Sequence, residues 1–377
     1  DSRLQKELGI TIDKKQAVRE LVRICGNRVK EELHWLFINH SGEAMDWLMD
    51  MTEAAGLKTV IWAGAYKGPD YYEYPVTHMF QAPADWEPAP WMNANVAKVL
   101  DENARAKGVE FIYKTKAERI LRDSSGKVTG CVASIEDGSY IQYNASKAVI
   151  LCTGDYGSDD EMVDYFCPDA RYGEVNWYTP AGANTGDGHR MGMWIGAKLQ
   201  KGRHAPMIHE VLGASSYFYL QVNKLGLRFQ NEDKSSQANG VMKAMQPDNT
   251  AWVVFDDKYL EEIPTTLDKG GGFSWDQGRT WGQEWSAEAE VGSINGQIER
   301  GVLFKEDTLD ALAAKMEVPA DALKATVARY NEIAEAKDDI DFGKRSELLF
   351  PINKPPYYGG KLVNALLVVA AGFSVNT

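Results

Sequence analysis

The stretch from residue 96 to 157 constrains this chain more than any other. A helical pattern ends at Gly108, the kind of residue that closes a helix in the left-handed conformation. "VEFIYKT" (109–115) then reads as a strand. The alternating runs "AERILRD", "VTGCVASI" and "SYIQYNA" follow, separated by "SSGK" and "EDGS", whose turn chemistry predicts an antiparallel meander over about 109–146. The apolar run 148–152 predicts a buried strand, and it stops at "TGDYG". Helix, strand, meander, buried strand and Gly turn together are the order of the second half of a dinucleotide-binding domain.

A strand tip that ends in glycine leaves the main chain bare, so a flat or phosphorylated ligand can approach it. Thr153 adds a hydroxyl beside Gly154. A second glycine-rich turn, "NTGDGHRMGMWIGAKL" (184–199), leads into a helix on which Gly192, Ile195 and Gly196 allow close packing. Asp187 is expected at the N-cap of that helix, where capping alone would account for it.

At 377 residues the chain exceeds one ordinary core and predicts two domains, or one with a large insertion. A net charge of −13 without any block of lysine and arginine argues against a nucleic-acid partner or an anionic membrane. Cys25, Cys131, Cys152 and Cys167 show neither CxxC nor metal-ligand spacing and read as reduced thiols. The six histidines form no HExxH-like pair, so no metal site is expected. No stretch approaches the ~20 apolar residues of a membrane span. The polar first residues carry no signal-peptide pattern, and the apolar run at the C-terminus has nothing after it to cover it. The sequence therefore reads as a piece of a longer chain.

Elsewhere, Asp13 is a plausible N-cap for a helix with Val18, Leu21, Val22 and Cys25 on one face. Residues 31–51 read as two helical stretches punctuated at Ser41–Gly42. From 199 to 351 the texture changes to short strands, "FYLQVN" and "TAWVVFD", a Gly-rich loop and a helical pair. Thr308 caps the first of these helices, and Pro319 is expected at the first position of the second, with Asp321 in its first turn.

Taken in order, "KAVILCTGDYG", "NTGDGHRMGMWIGAKL", "LQVNKLGLRFQNED", "WVVFDDKYLEEIP", the helical pair and "LFPINKPPYY" resemble the flavoprotein family of fumarate reductases, succinate dehydrogenases, 3-ketosteroid dehydrogenases and related bacterial FAD-dependent reductases. The resemblance runs from about Val109 to the C-terminus. It implies an α/β fold: a Rossmann-like FAD-binding domain, incomplete here, over 1–198 and 352–377, with an inserted α+β capping domain over 199–351. FAD would be the cofactor, with Cys152, Thr153, Gly154 and Asp187 as contacts and Ala117–Glu118 at the adenine edge. The GxGxxG that grips the pyrophosphate in this family is not in the sequence, so the chain by itself is expected to bind FAD poorly and to be inactive.

The resemblance further implies hydride transfer to an activated double bond, with a cap side chain giving the proton. In fumarate-reducing members that acid is an arginine after "RFxNE". Its place here falls near Ser235, Ser236 or Gln237, and Leu367 stands about where a substrate histidine would sit. Without those charged groups a less charged acceptor is expected: an enoate, an aromatic acrylate or a ketosteroid-like ring. Candidate catalytic residues are His209, Tyr217, Tyr219 and Arg228; candidate substrate contacts are His209, Leu367 and Gly372. Arg228 and Glu232 are better suited to pairing across the cap. Two alternatives stand beside this reading: a 3-ketosteroid Δ1-dehydrogenase-like oxidation, and a non-catalytic scaffold without flavin. The expected partner is a small organic acceptor. The resemblance sets neither the electron donor nor the compartment, since relatives are both cytoplasmic and exported to the bacterial envelope.

Overall fold

The computed structural model describes residues 1–63, 68, 74–86, 93–178, 180–210, 212–215, 218–269 and 279–375. Ser2 and Gln5 close a capping box on the short helix α1 (Arg3–Glu7). Asp13 caps α2 (Lys14–Ile24) as expected, accepting from the backbone N–H groups of Lys15 at 2.9 Å and Gln16 at 3.1 Å. The next helix, α3 (Glu31–Ala54), runs unbroken through Ser41–Gly42, where the sequence predicts two helices. Gly42 serves close approach instead: a Cβ there would lie 2.6 Å from the Asp1 carbonyl oxygen. The helix tolerates the glycine because its 3.6-residue periodicity continues across it and Arg3 clamps the crossing chain to Asp50 and Glu53.

Strands β1 (Lys58–Ile61) and β2 (His78–Gln81) pair antiparallel. Helix α4 (Asn93–Ala106) is followed by Gly108 at φ +83°. The meander is present as β3 (Thr115–Arg122), β4 (Val128–Ile135) and β5 (Tyr140–Asn144), in sheet order β3-β4-β5. Its first turn is held by Asp123, whose carboxylate accepts from the backbone N–H of Ser125 and of Lys127. The two flanking strands expected at 109–115 and 148–152 do not form. Residues 109–114 and 148–152 have no ladder partner among the described residues, and Ile150 is 83% exposed. A strand exists only through its partner's hydrogen bonds, so an apolar run without one stays extended and open.

After α5 (Asp160–Phe166), β6 (Val175–Asn176) and α6 (Asp187–Trp194) the chain enters β7 (Ala205–Glu210), β8 (Leu220–Asn223), α7 (Ser236–Ala244), β9 (Ala251–Asp256) and α8 (Tyr259–Glu262). It continues through α9 (Ala287–Glu299), β10 (Leu303–Glu306), α10 (Leu309–Met316) and α11 (Ala320–Ala336) to β11 (Tyr357–Lys361) and β12 (Asn364–Ala370). Thr308 caps α10 as expected; Pro319 stands one residue before α11, at its N-cap rather than inside it.

An antiparallel sheet in the order β10-β11-β9-β8 carries two cores. Trp252 and Val254 of β9 face Leu312, Met316, Leu323 and Tyr330 of α10 and α11. Val253 and Phe255 face the opposite way, onto Tyr219, Tyr259 and Tyr358. A strand buried on both faces must be apolar throughout, which explains the unbroken run "AWVVF". A smaller sheet, β6-β12-β7, places β12 at its centre, parallel to β6 and antiparallel to β7, with Ala365 opposite His209. The ladder slips between Leu366 and Val368, which puts Leu367 at a bulge. Among the described residues no helix is long and apolar enough to cross a membrane.

Candidate active site

The residues singled out by the sequence fall mainly in two places, a turn and a cleft. The turn is Thr153–Gly154, which meets the start of α6. A Cβ on Gly188 would fall 1.8 Å from Thr153 Oγ1, so only glycine lets α6 seat against this turn. Gly186, at φ +72°, is the N-cap. Asp187 is thus the first helical residue rather than the cap, because the left-handed residue before it turns the chain into the helix. Its carboxylate accepts from Thr185 Oγ1 at 3.0 Å and pairs with Lys116 of β3 at 3.3 Å. Beside Lys116, Ala117 borders a bulge in the β3–β4 ladder, and Glu118 accepts from Ser134 Oγ at 2.7 Å. Cys152, Thr153 and Gly154 are exposed.

Asp155, which the sequence reading passed over, anchors this turn. Buried, it accepts from the Gly157 and Val369 backbone N–H groups, the Asn184 side-chain amide and the Tyr178 hydroxyl, at 2.7–3.0 Å. Its carbonyl accepts from Gly186 N at 3.1 Å. One carboxylate thereby ties the 153–157 turn, the loop before α6 and β12 together. Burial, then the bond to Asp155, pushes the Tyr178 phenol well above its ordinary pKa.

The other place is a cleft of about 1000 Å³. One wall is apolar, with Leu21 and Ile24 of α2 and Leu36 and Phe37 of α3. The other is polar, with His209 at the end of β7, Glu232, and the 234–237 turn leading into α7. Ser235 caps α7, accepting from Ala238 N at 3.4 Å. Ser236 Oγ is buried with no hydrogen-bond partner among the described residues. Gln237 reaches back to His209, its amide nitrogen 2.9 Å from Nε2. Burial pushes the His209 pKa below its ordinary value, so the ring is neutral at physiological pH.

The other candidates lie elsewhere. Tyr217 falls outside the described residues. Tyr219 is packed in the core, stacked on Phe255 with ring centroids 4.9 Å apart. Arg228 is buried in a double fork, donating to Glu232 at 2.9 Å and to Asp339 at 2.8–3.0 Å. Lys344 also pairs with Glu232, at 3.2 Å. Burial alone would raise the Glu232 carboxyl, but Lys344 and Arg228 outweigh it and hold the group below the usual range. Against the same penalty, Arg228 keeps Asp339 down at about 2. Leu367 sits at the β12 bulge, and the Gly372 carbonyl accepts from Gln200 N at 2.9 Å; neither lines the cleft.

A bare glycine turn seated against a helix start is a local arrangement that suits a dinucleotide cofactor. The chain belongs to the FAD binding domain family, whose model matches residues 2–377. It is 24% identical over 403 residues to the vinyl phenol reductase of Lactiplantibacillus plantarum, covering all of this chain and 76% of that protein. The chain spans about half or less of the other leading curated relatives, at 44%, 51% and 28% of their lengths. The fold is that of the open conformation of a flavocytochrome c3 fumarate reductase (TM-score 0.68, 20% identity, all of this chain and 60% of the other). It is equally that of the 3-ketosteroid-Δ4-(5α)-dehydrogenase of Rhodococcus jostii RHA1 (TM-score 0.69, 22% identity, all of this chain and 75% of the other). FAD is the cofactor of this family. Cys152, Thr153 and Gly154 are exposed, so the main chain of this turn is open to the approach of a flat ligand.

Proposed function

We propose that the protein reduces an activated carbon–carbon double bond in an uncharged organic acceptor, with the acceptor held in the cleft between α2, α3 and the β7–α7 corner. The observation that carries this reading is the composition of the cleft: among the described residues no arginine lines it. A dicarboxylate such as fumarate would meet only the lysines Lys14 and Lys234 there and no guanidinium fork to hold a carboxylate through two bonds. The apolar wall of Leu21, Ile24, Leu36 and Phe37 suits an aromatic or alicyclic body. The name of the vinyl phenol reductase relative agrees with this choice.

FAD, when bound, supplies the hydride. The chain contributes the rest. Thr153, Gly154 and Asp187 hold the cofactor from one side, and the Asp155 knot keeps their turn rigid. The apolar wall keeps water from the double bond, and neutral His209 binds and orients the polar end of the acceptor. Residues 199–351 act as the cap over this site. The oxidative, ketosteroid-like alternative calls for a pair of tyrosines facing the cleft, and Tyr219 is instead committed to the core.

The test is a screen of the full-length flavin-loaded protein with reduced methyl viologen. Neutral alkenes such as 4-vinylphenol should oxidise the dye and fumarate should not. Faster turnover of fumarate than of every neutral alkene would overturn the reading.

A further inference from the structure

The polar wall of the cleft carries a cation that the fold itself does not use. The acidic groups there are each matched: Glu232 pairs with Arg228 at 2.9 Å and with Lys344 at 3.2 Å, and Asp233 pairs with Arg345. Lys234 is the next residue. It lines the same wall, half-buried, and makes no ion pair or hydrogen bond among the described residues. On the opposite wall Lys14 donates to Asn39 at 3.2 Å, and Glu20 pairs with Arg23 at 2.6 Å. Lys234 therefore leaves a positive charge in the cleft with no counter-charge beside it, and next to an apolar wall such a charge is screened less than in open water. Ser236 Oγ adds a hydroxyl without a partner at the same corner.

We propose that Lys234 holds the negative charge that arises on the acceptor during the reaction, and that the acceptor therefore carries an oxygen conjugated with its double bond. The proposal rests on the reading of this cleft as the acceptor site and names the class of acceptor it takes. In an α,β-unsaturated carbonyl, hydride adds to the β-carbon, the C=C pair shifts towards the carbonyl carbon, and the C=O pair moves onto oxygen. The enolate returns that pair when the α-carbon takes a proton. In a hydroxystyrene the phenolate oxygen gives its pair to the ring and the outer vinyl carbon takes a proton. Hydride at the carbon next to the ring then returns the pair to oxygen. Either acceptor gains one hydride, which the family's flavin supplies, and one proton, and in either the oxygen is an anion at one stage. An ammonium beside that oxygen stabilises the charged stage. An alkene without such an oxygen has no charge to place there.

The probe is 4-nitrophenol, a non-reacting aromatic whose phenolate alone is yellow, added to the full-length protein with its flavin oxidised. Wild type should bind the phenolate at least about tenfold more tightly than the phenol, as an opposite charge at close range does for an acid. The readout is a fall in the pH at which the phenolate's difference absorbance appears. Lys234→Gln should erase the preference, and Lys234→Arg, which keeps the charge, should retain it. Lys14→Gln, on the opposite wall, should leave it unchanged. Equal binding of the two forms by wild type, the same preference in Lys234→Gln, or its loss in Lys14→Gln would overturn the proposal. If the preference holds but no alkene is reduced, the functional reading fails and the charge-holding role of Lys234 stands. If alkenes are reduced without the preference, the inference alone fails.

Discussion

Gly188 does more for the site than a residue without a side chain would be credited with. Its missing Cβ is the space that Thr153 occupies. Gly188→Ala should destabilise this chain by about 1–3 kcal/mol through overpacking. Pairing it with Thr153→Ala, which removes the clashing hydroxyl, should restore part of the loss; thermal unfolding of the four proteins of the cycle measures the coupling. A Gly188→Ala protein as stable as wild type would contradict the packing described. The turns at Gly154 and TGDG were legible in the sequence because glycine-rich turns are local signals, although the cap of α6 is Gly186 and not Asp187. Asp155 was not, since its partners Tyr178, Asn184 and Val369 are distant in sequence and nothing near it announces them. Tyr219 shows the opposite failure: strand alternation says that a side chain faces one side, not whether that side is a cleft or a core.

Among the elements, those set by their own residues were legible. Asp13 and Thr308 cap the helices expected of them, and the meander turns where SSGK and EDGS stand. The apolar runs at 109–115 and 148–152 were misjudged because a strand depends on a partner that a one-dimensional pattern does not contain. The β9–α8 corner holds a feature invisible from sequence. Burial, followed by the nearby Asp256 carboxylate, pushes Glu262 from an ordinary 4.5 up to about 7. Between those values the folded protein keeps a proton that the unfolded chain has released. Stability contributed by this group is therefore greatest below pH 4.5, falls as pH rises towards 7, and is flat above. Glu262→Gln should be more stable than wild type by about 1–3 kcal/mol at pH 8 and no different below pH 4, as read from urea unfolding across that range. Equal stability at pH 8 would show that Glu262 titrates normally.

At the scale of the whole molecule, the cleft is built from segments that only the fold brings together. Its lining comes from the first 48 residues, from Trp62 and 74–78, and from 209 onward, so composition and spacing could not reveal it. What the sequence did carry was the ordered set of phrases that identifies the family, and with it the cofactor. The net charge of −13 fits this picture without defining it. The central claim is that the Thr153 turn and the start of α6 form one side of an FAD cradle. The dissociation constant of FAD for the full-length protein, compared between wild type and Asp187→Ala, tests it most directly. Weakening by tenfold or more, about 1.4 kcal/mol, is expected; an affinity within twofold of wild type would contradict it.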